Sequence, residues 1–90
     1  MPDLIIISDK KPTLAEVQGL VGGYIEIVYR DDNTQIICNE EGKLFGLPIN
    51  QEATNLWNSK LNKFYSNPNF VNSDFLVGDI VVLKDKALLT

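Results

Sequence analysis

The stretch Thr13-Leu14-Ala15-Glu16-Val17-Gln18-Gly19-Leu20-Val21-Gly22-Gly23-Tyr24-Ile25-Glu26-Ile27-Val28-Tyr29-Arg30 changes its period at the glycine pair. Before it, Leu14, Val17, Leu20 and Val21 recur at the i, i+3, i+6, i+7 spacing of one helical face. Thr13 stands where an N-cap is needed, and Glu16, three residues on, completes a capping box. Gly22-Gly23 stops the helix, because glycine enters the left-handed C-cap conformation without a Cβ penalty. After it the period is two. Ile25, Ile27 and Tyr29 share one side of a strand, and Tyr24, Glu26, Val28 and Arg30 share the other.

Working outward, Asp31-Asp32-Asn33 is a turn and Thr34 to Asn39 a second strand, which makes a hairpin. A hairpin loop with an even number of residues groups Ile25, Ile27, Tyr29, Ile36 and Cys38 on the core side. It leaves Glu26, Arg30, Gln35 and Asn39 outward, together with Tyr24, Val28 and Ile37. Toward the N-terminus, Leu4 to Ile7 is apolar on both sides and reads as a buried strand, followed by a polar turn at Lys10-Lys11-Pro12. Beyond the hairpin, Asn39-Glu40-Glu41-Gly42 turns into Lys43-Leu44-Phe45-Gly46-Leu47-Pro48-Ile49. That segment is broken by Gly46 and Pro48 but is apolar enough to be laid over the core. Asn50 caps a second helix carrying Ala53, Leu56, Trp57, Leu61 and Phe64. Ser66 to Asp74 is the expected mobile loop. Phe75 to Leu83 is a last strand with a bulge or bend at Gly78-Asp79. The tail over residues 84–90 is expected to fray, with Leu88 and Leu89 available to pack. The sum is a small single α+β domain over residues 1–90, in β-α-β-β-α-β order. It predicts a mainly antiparallel sheet with two helices on one face, and no internal repeat.

Composition narrows the chemistry. The 90 residues contain no histidine and one cysteine, and carry a formal charge of −4. The commonest general base and metal ligand are therefore missing, and no metal site or cofactor is expected. Cys38 has no cation or base beside it in sequence and reads as a small apolar strand residue. The acidic balance, with only Lys10-Lys11 and Lys60/Lys63 clustered, argues against a nucleic-acid partner. The N-terminus lacks a basic signal-peptide region, and no apolar run approaches the roughly 18–20 residues of a membrane span. A cytoplasmic, membrane-free protein is expected.

Two glycine spacings do not qualify as phosphate motifs. Gly19-x-x-Gly22-Gly23 lies at a helix end, and Gly42-x-x-x-Gly46 lacks a following Lys-Ser/Thr. The densest polar cluster is Asn39-Glu40-Glu41-Gly42-Lys43, with Asn50 nearby. Neighbouring carboxylates on a turn usually point apart, so the cluster suits binding better than acid–base work. The mixed strand face of Tyr24, Glu26 and Arg30 is the second candidate, since a sheet face without helices suits a homo-oligomer or a ligand platform. Trp57 is read as a core residue of the second helix.

Three segments carry a resemblance. Leu20-Val21-Gly22-Gly23-Tyr24-Ile25-Glu26-Ile27-Val28 resembles an LVGGYIEVV segment. Asn39-Glu40-Glu41-Gly42-Lys43-Leu44 with Gly46-Leu47-Pro48-x-Asn50 and Ala53-Thr54 resembles NEEGKL-x-GLP-x-N-x-x-AT. Phe75-Leu76-Val77-Gly78-Asp79-Ile80-Val81-Val82-Leu83 is similar to a closing IVGDVVL. All three belong to a family of small uncharacterised proteins, common in bacteriophages, plasmids and some bacteria and described as a domain of unknown function. They span most of residues 13–83; Asn58 to Asp74 departs from the family. The family supplies no catalytic residue. It implies a phage-type accessory protein that works in host takeover by binding a host or phage protein. The alternative is a small-molecule binder of the anti-defence type that sequesters a nucleotide signal. In that case Asn39, Glu40, Lys43 and Asn50 would line a pocket, with backbone N–H groups of the Gly42 loop offered to the ligand. On either reading the chain is not an enzyme.

Overall fold

A computed structural model describes residues 1–67, 69 and 72–89. Leu4–Ile7 is β1, Leu14–Val21 α1, Ile25–Arg30 β2, Thr34–Asn39 β3, Gln51–Phe64 α2 and Ile80–Lys84 β4, with a short 3-10 helix at Asp85–Ala87. The strands and helices follow the chain in the expected order. The sheet runs β1-β4-β3-β2: β2/β3 and β3/β4 are antiparallel, while β1 joins β4 in parallel.

The two central strands explain the layering. β3 is buried at all six positions and β4 at four of its five. Ile36, Cys38, Ile80 and Val82 project to one side, where Tyr29, Leu76 and the α2 residues Ala53 and Trp57 meet them. Ile37, Val81 and Leu83 project to the other, against Val17 and Val21 of α1. The helices thus cover opposite faces, not one face as predicted. A continuous apolar run such as Ile80-Val81-Val82-Leu83 gives each face something to bury, so each face needs a cover. The open sheet face expected to serve a homo-oligomer is absent among the described residues.

The caps hold as predicted. The Thr13 hydroxyl accepts from the Glu16 N–H, and the Glu16 carboxylate accepts from the Thr13 N–H, both at 3.1 Å. Gly22 closes α1 at φ +84°. Leu14 and Leu20 nevertheless remain exposed, because two helical turns bring only the centre of the stripe, Val17 and Val21, onto the sheet. β1 is not the buried strand predicted. It lies at the edge of the sheet and leaves Ile6 56% exposed.

β2 departs most from simple alternation. Arg30 and Tyr29 pair with Gln35 and Ile36, the parity an even loop predicts, but the register shifts between Ile27 and Tyr29. Below this bulge Ile27 pairs with Ile37, Glu26 with Cys38, and Ile25 with Asn39. Val28 absorbs the extra residue, and the faces exchange. Ile25 and Ile27 therefore lie opposite Tyr29, Ile36 and Cys38, and Glu26 shares the side of Cys38. Ile37, Gln35 and Asn39, expected outward, are buried.

Three further expectations change. The loop of residues 40–49 does not lie over the core: Leu44 is 79% and Phe45 63% exposed, with Ile49 exposed as well. Its order comes from hydrogen bonds within the turn and from ties to Tyr24, Val77 and Gly78, and of its apolar side chains Leu47 turns inward. The last strand starts at Ile80, not Phe75, because Gly78 at φ +74° interrupts it and Val77 forms a separate bridge to Ile49. The position favours glycine for its left-handed conformation, and a Cβ there would also push the end of the Leu47 side chain aside. The tail packs against the sheet through residue 89. Ala87 is fully buried, Leu88 and Leu89 pack on the α1 face, and the Gln35 side-chain amide exchanges two hydrogen bonds with the Leu89 backbone. The expected mobile loop at 66–74 includes residues 68, 70 and 71, which lie outside the described residues. No helix among the described residues is long and apolar enough to cross a membrane.

Candidate functional site

The β2 bulge, the turn after β3, Trp57 of α2 and residues 74–77 together build a cleft of about 300 Å³. One wall begins at Glu26, which the bulge turns to the α2 side beside Cys38. The turn after β3 adds Glu40 and Lys43, and residues 74–77 form the facing wall. That second wall is clamped to α2. The Leu76 carbonyl accepts from the Asn50 N–H at 2.8 Å, and the Leu76 N–H donates to the Thr54 hydroxyl at 3.0 Å. The Asn50 side-chain amide donates to the Gly78 carbonyl at 3.0 Å. Capping a helix and fixing the wall are thus one construction.

The cleft has a charged rim and an apolar floor. Glu26, Glu40, Lys43 and Asp74 are exposed, while Cys38, Trp57, Leu76 and Val77 are buried. The Lys43 ammonium pairs with the Asp74 carboxylate and lies 4.6 Å from the centroid of the Phe75 ring. Asp74 also accepts from the Phe75 N–H at 2.8 Å. The Lys43 hydrogen bond, then that of Phe75, holds the Asp74 carboxyl below its ordinary range. Burial, with Glu26 adding to it, pushes the Cys38 thiol up to about 11. A thiol so placed stays protonated and is a poor nucleophile. Trp57 is 8% exposed, and its indole N–H has no hydrogen-bond partner among the described residues.

Of the residues singled out in sequence, Glu26, Asn39, Glu40 and Lys43 come together here. Asn39 does so as a structural group. Its side chain is buried, donating to the Val21 carbonyl and accepting from the Glu41 N–H. Asn50 does not line the cleft; it accepts from the Ala53 N–H as the α2 cap and donates to Asp3 and Gly78. Tyr24 is exposed beside the turn, where its carbonyl accepts from the Glu40 N–H at 2.9 Å. Arg30 lies past the bulge, in a shallow depression with Asp31, Asp32 and Phe64. Asp74 and Phe75 were not legible as site residues. They join Lys43 across 31 residues of sequence, and no local pattern announces that contact.

Most amides of the turn are already engaged. The N–H groups of Glu40, Gly42, Phe45, Gly46 and Leu47 donate to backbone carbonyls, and that of Glu41 donates to Asn39 Oδ1. No cluster of three or more metal-ligating side chains occurs among the described residues.

The family model described as a domain of unknown function, DUF3846, matches residues 2–87. No curated protein matches the chain, and neither does any solved structure.

Proposed function

We propose that this chain, which belongs to the DUF3846 family across residues 2–87, is a non-catalytic accessory protein. It binds a host or phage macromolecule through the cleft between Glu26 and Asp74, in the host cytoplasm if a mobile element encodes it. The observation carrying this reading is the make-up of the cleft. Its thiol is held protonated by burial and its Lys43–Asp74 pair is already formed, so neither is poised to handle protons. What remains is a charged rim over an aromatic and aliphatic floor, the arrangement of a recognition pocket. Three carboxylates against one ammonium repel phosphate, which favours a protein over a nucleic acid.

The test is affinity capture from host lysate with the wild-type chain and with Glu26→Arg. A partner held by the wild type and lost from the variant supports the reading. A partner retained equally by both, or none at all, contradicts it.

The enclosed volume supports a second reading, since about 300 Å³ lies at the lower end of small-molecule sites. With the rim acidic, such a ligand is neutral or cationic rather than a nucleotide. A thermal-shift screen in which a nucleotide stabilises the wild type but not Lys43→Met would restore the nucleotide-sequestering alternative.

A further inference from the structure

Glu26, Glu40 and Asp74 surround a cleft that holds one cation, the Lys43 ammonium. Only Asp74 has that ammonium as an ion-pair partner; Glu26 and Glu40 have none among the described residues. The seat Lys43 occupies combines a carboxylate with the face of the Phe75 ring, a combination that attracts an organic cation through both charge and ring quadrupole. It is not a locked seat. Both partners of the pair are about half exposed, and such surface ion pairs hold weakly against competitors.

A second observation is independent of charge. The Trp57 side chain lines the same cleft, is more than nine-tenths buried, and carries an indole N–H with no acceptor. Buried donors are normally satisfied, so this N–H, shielded from solvent in the free chain, gains an acceptor when the cleft opens around a ligand. A ligand that meets both demands offers a cation to the rim and a carbonyl to the floor. An arginine residue within a polypeptide does so: its guanidinium forks onto carboxylates and stacks on aromatic rings, and its own backbone supplies the carbonyl.

Resting on the cleft-binding reading above, we infer that the cleft recognises an arginine side chain of a partner protein. Lys43 is its built-in competitor, seated in the cation site of the free protein and displaced on binding. Lys43 therefore opposes binding, whereas a lysine that served as a ligand-holding residue would promote it. The sign of its mutation separates the two.

The chain contains a single tryptophan, so its one indole N–H peak in a ¹H–¹⁵N spectrum reports the floor of the cleft directly. The probe is Nα-acetyl-arginine methylamide, with the citrulline analogue as an isosteric neutral control and the lysine analogue as a second cation. The inference expects a saturable indole shift with the arginine probe, a weaker one with lysine and none with citrulline. Removing the competitor in Lys43→Met should tighten the arginine probe by about threefold or more, and Glu26→Gln should weaken it by a similar factor. Both side chains are exposed, and the dispersion of the same spectra confirms that the variants fold. An unmoved indole peak, equal binding of citrulline, or weaker binding by Lys43→Met overturns the inference. A captured partner that depends on Glu26, combined with an indole peak indifferent to arginine, sinks the arginine site alone. A saturable arginine shift without any captured partner sinks the broader reading alone.

Discussion

The two faces of the sheet are built from the same strands and finish differently. The α1 face joins Val17, Val21, Ile37, Val81, Leu83 and Ala87, and the C-terminal residues Leu88 and Leu89 pack against it. The α2 face buries Tyr29, Ile36, Cys38, Ala53, Trp57, Leu76, Ile80 and Val82, yet it opens into a cleft at Glu26. Among the described residues, the buried side-chain atoms without a partner, on Trp57, Asn58 and Asn72, all belong to α2 or the chain that follows it. The α1 face satisfies its buried polar groups, Gln35 and Asn39, through hydrogen bonds to Leu89 and Val21; the α2 face leaves the Trp57 indole N–H unmet beside an opening. Natural interiors avoid such demands unless something outside answers them, so the α2 face is where function is expected.

The sharpest way to test this contrast is to make matched cavities on the two sides of β3. Ile37 and Ile36 are adjacent and both fully buried, one facing α1 and the other α2. Urea unfolding should show Ile37→Ala costing about 4 kcal/mol and Ile36→Ala about 3, because the face with a cleft relaxes more readily around a void. Equal costs, or the reverse order, would mean that the α2 face is packed as rigidly as the other.

Next in size is the clamp that shapes the cleft. Asn50→Ala removes the α2 cap and the two hydrogen bonds donated to the Asp3 and Gly78 carbonyls. A loss of about 2–3 kcal/mol is expected. Amide exchange should quicken over residues 76–78 while the α1 face stays protected. Ending the chain after Lys86 removes the cover from the α1 face, including Ala87 and the Gln35–Leu89 hydrogen bonds. That truncation should cost about 2 kcal/mol and leave any cleft-dependent binding intact.

The smallest effect is a pH dependence confined to the α2 face. The Tyr29 phenol is pushed up from 10.0 to about 12 by burial and by donating to Asp31 at 2.7 Å. The folded chain thus holds this proton more tightly than the unfolded one. Its contribution is complete below pH 10 and fades as pH rises toward 12. Urea midpoints at pH 9 and pH 11 should differ by less in Tyr29→Phe than in the wild type.

These contrasts also mark what could be read from sequence. The α1 caps and the Asn50 cap were legible because each is decided within three or four neighbouring residues. The burial of Trp57 was legible from helical spacing. The placement of the helices on two faces also has a signal in the sequence. Ile36-Ile37-Cys38 and Ile80-Val81-Val82-Leu83 are apolar on both sides, which already asks for two covers. The bulge at Val28 was not legible, since Ile25-Glu26-Ile27-Val28-Tyr29 alternates acceptably in either register. Glu26 was therefore named on the wrong premise of an open sheet face, and reaches the cleft only because the bulge exchanges its side. Glu40 and Lys43 stood out as a dense polar turn. The partners of Lys43, Asp74 and Phe75, come from a distant segment, where only the fold makes the connection.

The most direct test of a functional α2 face is a backbone amide shift map of the ¹⁵N-labelled chain on adding whichever partner is captured in a Glu26-dependent way. The changes should gather at Glu26, Glu40, Lys43, Asp74 and the Trp57 indole. A map centred on α1 and residues 85–89, with those positions unmoved, would contradict the account.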